Sequence, residues 1–461
     1  MRNARSRSIV LSILTFLFLF GIGLFVFNFI TNANTWVLSP INKHLSGNGI
    51  DQLGDITDRN NVVLAHSENN KRRYHSDEET RRALLHTIGD NDDHIPSSIQ
   101  TLYKDVLYGY NLIFGVTSPT IFNQNKNIQI TLDSELCKAA LSSLGTHKGA
   151  VCVYNYKTGE ILCMVSSPTY DPYYPEVVEK DTTSKYDGAY INRVIHSSFT
   201  PGSVFKIITS ASGITNFNDI DKKTYSCNQI ELVDDKKITC LGYHGNIAIK
   251  NAMMKSCNIY FANLAIELGK AKMTATANSM GFNKNFKFNR ITTKSSFYNV
   301  DDANDYDLGW SGVGQYSNLL NPLHSTILMG AIANSGNAII PHFIKNISFN
   351  ESIENKIFQN NISEEKLLNE NTADKLKELM RYNVTANYGD NMFPNLNVCA
   401  KTGTAEVGEN KEPHGWMVGF SSNEDTPLAF SVIVENSGYG YKTAGPIAST
   451  VLNLAAKRIK Q

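Results

Sequence analysis

The feature that most constrains this chain is an apolar run over residues 9–30, IVLSILTFLFLFGIGLFVFNFI. A helix of these 22 residues is long enough to cross about 30 Å of hydrocarbon. Three arginines lie within residues 1–8, and no Lys or Arg follows the run until Lys43. The positive-inside rule therefore predicts a single-pass cell-membrane protein, with residues 1–8 as a short cytoplasmic tail and the rest of the chain outside the membrane.

A cleaved signal peptide is the alternative interpretation of the same run. Its apolar region would be about half as long, and a small-residue cleavage site of the Ala-x-Ala kind would follow. The sequence shows neither, so an uncleaved anchor over 9–30 is favoured. In both interpretations the bulk of the protein works across the membrane, which excludes chemistry that needs cytosolic ATP or NADH.

Charge and cysteine content narrow the function classes further. Lys+Arg and Asp+Glu both number 43, so a zero net charge gives no indication of nucleic-acid binding. The seven cysteines contain no C-x-x-C pair, which argues against a structural zinc site. Most lie in apolar or mixed segments, as packing residues do, but Cys227 and Cys240 bracket a short polar stretch. Outside the cytoplasm a disulfide between them is one alternative, and two free thiols are the other.

The remaining chain divides into two regions. Residues 32–125 are polar and mixed, and we predict a small pedestal or stalk domain there. Residues 126–461 form a larger domain, with strand patterns near both of its ends and helical patterns between them. This order predicts an α/β domain: an antiparallel sheet covered by helices, with an all-helical subdomain inserted. The predicted elements are strands over 149–156, 161–166, 398–404, 415–420 and 428–435, and helices over 133–144, 373–382 and 444–459, with Asp133 and Thr372 as N-caps.

The candidate nucleophile is Ser203, in the pattern Ser-x-x-Lys that ends at Lys206. Pro201 and Gly202 precede it and an apolar run follows, so Ser203 is predicted in the first turn of a helix. The i, i+3 spacing puts both side chains on one helix face. A serine hydroxyl needs a base to become nucleophilic, and a lysine can be that base when burial and nearby cations lower its pKa. A second match, Ser363 to Lys366, lies in a charged stretch and is interpreted as a solvated helix face.

Two further motifs follow in order. The motif Ser-x-Asn occurs several times in the sequence. The copy Ser256-Cys257-Asn258 is preferred because it precedes an apolar helical run that would hold it rigidly. Lys-Thr-Gly occurs twice. The copy at Lys157 is predicted to lie in a hairpin turn, whereas Lys401-Thr402-Gly403-Thr404 ends an apolar strand. A strand edge beside a nucleophile can pair with an extended peptide, and a lysine there can bind its carboxylate.

Ser-x-x-Lys, then Ser-x-Asn about fifty residues on, then Lys-Thr-Gly late in the domain, is the motif set of the serine penicillin-recognising enzymes. With these motifs the chain resembles a class B penicillin-binding protein from about residue 50 to residue 455. Other segments carry the same resemblance: Gly54–Asn60, although Gln52-Leu53 replaces the expected basic start; Lys148–Ala150 through Ser167–Pro172; Gly312–Gln315 with Asn321–Leu323; and Trp416–Phe420 with Val434–Asn436.

The resemblance implies a serine D,D-transpeptidase that binds peptidoglycan stem peptides and is acylated by β-lactams. Ser203 would attack the penultimate D-alanine carbonyl, with Lys206 as general base and Ser256 and Asn258 relaying protons and holding substrate. Lys401, Thr402, Gly403 and Thr404 would bind the substrate strand and its carboxylate, and the N–H groups of Ser203 and Thr404 would form the oxyanion hole. It implies no metal or nucleotide cofactor, no nucleic acid, and a glycosyltransferase of the division or elongation machinery as partner.

Other interpretations share parts of this pattern. A β-lactamase needs a residue that activates the hydrolytic water, and Glu365 to Asn369 matches one such motif, E-x-x-L-N. We interpret that match as a loop-to-helix coincidence, and the membrane anchor also argues against a lactamase. A D,D-carboxypeptidase differs only in its acyl acceptor, which motifs do not identify. A penicillin-sensing receptor would need a cytoplasmic signalling segment, and a scaffold without turnover would have lost one of the three motifs.

Overall fold

The structure is a computed structural model and describes residues 2–37, 53–69, 71–109, 126–349, 363–408 and 411–459. Its helices are α1 (Arg2–Val37), α2 (Glu78–Ile88), α3 (Ile99–Leu102), α4 (Lys104–Leu107), α5 (Ser134–Leu144), α6 (Glu176–Glu179), α7 (Arg193–His196), α8 (Lys206–Asn216), α9 (Ile249–Lys255), α10 (Asn258–Ser279), α11 (Asp305–Val313), α12 (Pro322–Ala333), α13 (Glu370–Asn383) and α14 (Gly440–Arg458). Its strands are β1 (Ile56–Thr57), β2 (Val63–Glu68), β3 (Lys71–Tyr74), β4 (Lys126–Ile130), β5 (Gly149–Asn155), β6 (Ile161–Ser167), β7 (Thr224–Cys227), β8 (Ile230–Val233), β9 (Lys236–Thr239), β10 (Gly245–Ala248), β11 (Lys287–Phe288), β12 (Ile291–Thr292), β13 (Asn337–Ile339), β14 (Ile344–Phe349), β15 (Glu364–Lys366), β16 (Val398–Ala405), β17 (His414–Ser421) and β18 (Leu428–Val434).

Helix α1 contains the apolar run that opens the sequence. Within its stretch Arg7–Ala33, an 18-residue window has a mean hydropathy of 2.8 and is not buried against the rest of the chain. By length and composition this stretch can cross a membrane as one helix. A single-pass anchor at this end of the chain therefore fits the structure.

The larger domain is built on a five-stranded antiparallel sheet in the order β16-β17-β18-β5-β6. Its strands come from both ends of the domain, as the sequence predicts. Helices α5, α12 and α14 pack against it. Strands β5, β6 and β18 are buried along their whole length, which explains why they read as continuous rather than alternating apolar runs.

A second five-stranded sheet has the order β14-β4-β1-β2-β3. Its strands come from both regions, because β1–β3 belong to the predicted pedestal and β4 and β14 belong to the larger domain. Asp58 connects the two regions. Its buried carboxylate accepts hydrogen bonds from the Val62 N–H at 2.9 Å and from the Ser134 hydroxyl at 2.7 Å. Residues 38–52 and 110–125 of the predicted pedestal lie outside the described residues. The division of the chain at residue 125 stays a prediction.

The helix starts show where local sequence rules hold and where they fail. Asp133 caps α5 as predicted, accepting from the Leu136 N–H at 3.0 Å. The prediction for Thr372 is wrong, because Asn369 caps α13 and the Thr372 N–H donates to its side chain at 2.8 Å. Asn caps at least as well as Thr, and it begins the helix one turn earlier.

The region between the two halves of the central sheet contains α6–α13, and its described residues also form four two-stranded ribbons that the sequence does not predict. One is the hairpin β8–β9, whose turn residues Asp234 and Asp235 both have positive φ, 49° and 59°. Two positive-φ residues make the type of turn that matches the twist of a hairpin, and Asp accepts that conformation better than most residues.

Candidate active site

Ser203 lies in a 3₁₀ turn, Gly202–Phe205, that leads directly into α8. This is the position that the sequence predicts, the first turn of a helix. Ser203 is partly exposed, whereas the Lys206 side chain, one turn later, is fully buried. The nucleophile candidate therefore faces the surface, while its candidate base is enclosed in the protein.

Close backbone contacts fix this turn from two sides. The Gly202 N–H donates to the Gly314 carbonyl at 3.0 Å, and a Cβ at Gly314 would lie only 1.9 Å from the Gly202 oxygen. On the side of the sheet, a Cβ at Gly202 would lie 2.4 Å from the carbonyl oxygen of Thr404. Ser203 is thereby held beside β16, next to the second residue predicted to supply an oxyanion-hole N–H.

Replacing Gly314 by alanine is expected to lower the free energy of unfolding by about 3 kcal/mol and to slow any reaction at Ser203, because backbone must shift to admit the Cβ. Gly145→Ala is the matched control: Gly145 also has a positive φ, but a Cβ there meets nothing within 4 Å. The control should cost only about 1 kcal/mol. Thermal unfolding of both variants measures the difference, and equal losses would contradict the close approach.

Lys206 makes three hydrogen bonds within the site. Its Nζ donates to the Ser256 carbonyl at 2.7 Å, to the Ser256 hydroxyl at 3.1 Å and to the Asn258 side-chain oxygen at 2.7 Å. The first and second motifs thus meet through direct hydrogen bonds. Three acceptors saturate the three N–H groups of an ammonium ion, so the base candidate is held in one orientation.

Ser256 occupies a strained position at the junction of α9 and α10. It ends α9 in the left-handed conformation, with φ 53° and ψ 42°. Such a conformation is uncommon for a residue other than glycine, and it is often found at functional sites. Lys401 reaches the same hydroxyl from β16, with its Nζ 3.1 Å from the Ser256 Oγ. Residues from all three motifs therefore meet at Ser256.

The structure changes the predicted orientation of Lys401. Its side chain is only 2% exposed and also donates to the Thr402 carbonyl at 2.8 Å. The ammonium group is turned toward Ser256 and Lys206, not toward solvent where a substrate carboxylate would arrive. Burial holds the pKa of Lys401 well below its ordinary value, and the nearby Lys206 charge lowers it further.

Burial also lowers the pKa of Lys206 to about 7, although the nearby Cys240 and Cys257 thiols raise it. A lysine with this pKa is partly neutral at physiological pH and can accept a proton. Because the neutral form is the base, we expect the rate of Ser203 acylation to rise with pH through about 7 and then level off. Acylation measured from about pH 5 to 9 tests this, and a profile that still rises at the ordinary lysine pKa would contradict it.

The strand β16 presents an open edge at the site. Within the described ranges it pairs with β17 alone, so its other edge can receive an extended peptide. Thr402 and Thr404 are both partly exposed there. Tyr388 supports this edge: it accepts from the Thr402 N–H at 2.9 Å and bonds its hydroxyl at 2.8 Å. Sequence reasoning missed Tyr388, because nothing near it in the chain marks it.

The alternative motif copies lie elsewhere. Ser363 directly precedes the short strand β15 and is exposed, so the predicted helix face at Ser363–Lys366 is mostly a strand instead. Lys157 lies in the turn between β5 and β6, as predicted, and bonds Asn334 at 2.7 Å. Glu365 forms an ion pair with Lys284. Together with the cap at Asn369, this places the E-x-x-L-N match at a strand-to-helix junction.

A group of metal-binding side chains lies beside the second motif. The donor atoms of Cys227, Cys240, His244 and Cys257 all lie within 4.8 Å of one another. All seven cysteines are free thiols in the structure. The absence of C-x-x-C pairs gave no indication of this group, because its members come from four separate elements.

Comparisons with known proteins agree with this geometry. Residues 149–453 match the family described as the penicillin binding protein transpeptidase domain. Over 357 residues the chain is 26% identical to the peptidoglycan D,D-transpeptidase PbpA of Mycobacterium tuberculosis, covering 71% of this chain and 72% of that protein. It is 25% identical over 393 residues to penicillin-binding protein 3 of Bacillus subtilis, covering 78% of this chain and 56% of that protein.

A solved structure shares the fold. Penicillin-binding protein A from M. tuberculosis, in a ceftriaxone acyl-enzyme complex, superposes with a TM-score of 0.77 and 22% identity. The match covers 88% of this chain and 99% of that one. The antiparallel sheet with its covering helices is therefore the same architecture in both proteins.

Proposed function

The chain belongs to the penicillin-binding protein transpeptidase family, and from this premise we propose that it is a peptidoglycan D,D-transpeptidase of class B that forms its acyl-enzyme on Ser203. Its substrates are stem peptides that end in D-Ala-D-Ala. β-Lactams inhibit it by acylating the same serine.

The observation that carries the assignment is the convergence of Lys206 and Lys401 on Ser256, with Lys206 in the helical turn that follows Ser203. Neutral Lys206 takes the proton of the Ser203 hydroxyl as the oxygen attacks the penultimate D-alanine carbonyl. N–H groups of Ser203 and Thr404 stabilise the oxyanion, a contribution of about 3 kcal/mol per donor in comparable sites. The proton then passes to the departing D-alanine nitrogen through Lys206 and Ser256.

Substrate binding is assigned to the open edge of β16. Thr402 and Thr404 present partly exposed side chains there, and Gly403 lets the turn that carries Ser203 approach the strand, since a Cβ there would lie 2.7 Å from the Pro201 carbonyl oxygen. We assign the carboxylate to the threonine hydroxyls, because Lys401 is buried and directed to Ser256. Lys401 then acts on the chemistry, through its charge and its hydrogen bond, and Asn258 holds both Lys206 and the substrate.

In the second half-reaction a neighbouring stem's amine attacks the acyl-enzyme and releases Ser203. A D,D-carboxypeptidase would use water instead, and it stays the alternative. For a single-pass protein with a cytoplasmic N-terminus the catalytic domain would lie outside the membrane, where these peptides are found. A glycosyltransferase of the division or elongation machinery is the partner that we propose, because cross-linking needs newly made glycan strands.

Labelling with a fluorescent penicillin tests the assignment. The full chain in detergent should form a stable adduct that peptide mapping by mass spectrometry places on Ser203. Ser203→Ala should abolish the adduct, while Ser363→Ala, in the exposed second Ser-x-x-Lys copy, should label normally. Rapid loss of label with hydrolysed drug would indicate a lactamase, and folded protein without any adduct would overturn the assignment.

A further inference from the structure

The group formed by Cys227, Cys240, His244 and Cys257, here called the thiol–imidazole cluster, is not used by the reaction at Ser203. Cys227 ends β7, Cys240 follows β9, and His244 precedes β10. Cys257 lies between the two functional residues of the second motif and caps α10. Four elements that are separate in the chain thus bring their donor atoms to one point.

The distances within the cluster match a tetrahedral metal site. The His244 Nδ1 lies 3.4 Å from the Cys227 Sγ and 3.6 Å from the Cys240 Sγ, and the sulfurs of Cys240 and Cys257 are 4.0 Å apart. With Zn–S near 2.3 Å and Zn–N near 2.0 Å, a tetrahedron requires about 3.6 Å between sulfur and nitrogen and about 3.8 Å between sulfurs. One ion fits between the four donors after small adjustments.

The surrounding two-stranded ribbons give a reason for a stabilising metal ion at this position. The segment from β7 to β10 consists of two-stranded pairs, and a two-stranded ribbon is marginally stable in water. Many of its large apolar side chains are exposed, with Leu232 at 67% and Leu241 at 87%. Two ligands, Cys227 and Cys257, are nevertheless fully buried. A metal stabilises small segments that lack an adequate core.

The hydrogen bonds around the cluster are those of ligands held in place. The Tyr260 N–H points at the Cys257 sulfur at 3.4 Å, and the Cys240 N–H donates to the Gln229 carbonyl at 2.7 Å. The Asn258 amide donates to the Thr239 carbonyl at 2.9 Å, which connects the turn that carries Cys240 to the second motif. Partners of this kind orient metal ligands.

We propose that the thiol–imidazole cluster binds one Zn²⁺ ion, and that the ion positions the second motif against Lys206. Three cysteines and one histidine in a closed tetrahedron are a donor set of structural zinc sites. On binding, the three thiols release three protons and the neutral imidazole releases none, which leaves the complex with one net negative charge. That charge lies next to Ser256 and Asn258, which both accept hydrogen bonds from Lys206, so it complements the Lys206 ammonium group.

The first experiment measures metal in the full chain, purified in detergent without added chelator. Elemental analysis should find one zinc per chain. Replacement by Co²⁺ should give the visible absorption of a tetrahedral site with thiolate-to-metal charge transfer. Cys240→Ala should lose the metal, and Cys163→Ala, a buried cysteine of β6 outside the cluster, should keep it. The measurement needs no activity, so it is independent of the proposed function.

The second experiment tests positioning, and this half of the proposal rests on the proposed function. Removing zinc with a chelator should lower the rate constant of penicillin acylation by roughly 10-fold or more, with a smaller change in the initial binding constant. Zn²⁺ should restore the rate and Mg²⁺ should not. Circular dichroism must show that the metal-free chain is folded. Ser203→Ala should keep its zinc while losing acylation, which separates a failure of one assignment from a failure of the other.

Three results would overturn the proposal. Folded wild-type chain without bound metal, and unable to take up Zn²⁺ or Co²⁺, would leave the cluster as plain thiols. A chain mass two hydrogens lower, with a mapped disulfide among Cys227, Cys240 and Cys257, would identify it as a redox pair. Bound zinc whose removal leaves the acylation rate of folded chain unchanged would remove the positioning role.

Discussion

Replacing Lys206 by methionine is expected to lower the rate constant of Ser203 acylation by at least about 10³-fold, because the side chain proposed to take the proton of Ser203 is lost. Methionine keeps the length of the buried side chain but cannot accept or donate the proton. Second-order acylation rate constants with a chromogenic β-lactam measure the loss.

The replacement also removes a cation that satisfies three acceptors, so stability must be measured beside activity. Lys206→Arg is the second variant: it keeps the charge and the donors but cannot lose its proton near neutral pH. It should be at least as inactive as Lys206→Met. Ser203→Ala, which leaves the buried network intact, reports the stability expected of an inactive but undisturbed site. An active Lys206→Arg would assign the base to another group.

The central sheet and the order of the motifs could be predicted because their signals are local. Strands β17 and β18 read as apolar runs, and Ser203 and Lys206 share one helical turn. Asp133 capped its helix for the same reason. The mistaken cap at Thr372 shows the limit of such rules, since Asn369, three residues earlier, satisfied them equally well.

What could not be predicted depends on contacts between distant segments. Lys401 was expected to bind a carboxylate, but its ammonium group donates to the hydroxyl of Ser256, which lies 145 residues away in the sequence. Tyr388 supports Thr402 from a helical turn after α13. The thiol–imidazole cluster combines Cys227, at the end of β7, with Cys257, at the start of α10. C-x-x-C spacing cannot show a site whose ligands are so far apart in the sequence. In each case the partner is set by packing, which a single sequence does not display.

Replacing Lys401 by methionine is expected to reduce the rate constant of acylation at pH 7 by about 10- to 100-fold, with a smaller change in β-lactam binding. The reduction follows because the Ser256 hydroxyl loses one of its two lysine donors. Lys206 keeps its own hydrogen bond to Ser256, so the reaction should be slowed and not abolished.

The balance between rate and binding distinguishes the two roles that Lys401 could have. A lysine that only bound the substrate carboxylate would weaken binding of the β-lactam and leave the rate constant of acylation unchanged. Lys157→Met, in the exposed second Lys-Thr-Gly copy, is the matched control and should change neither constant. Acylation rate constants and binding constants, measured for both variants, decide between the roles. A lower affinity with an unchanged rate constant would assign Lys401 to the carboxylate site.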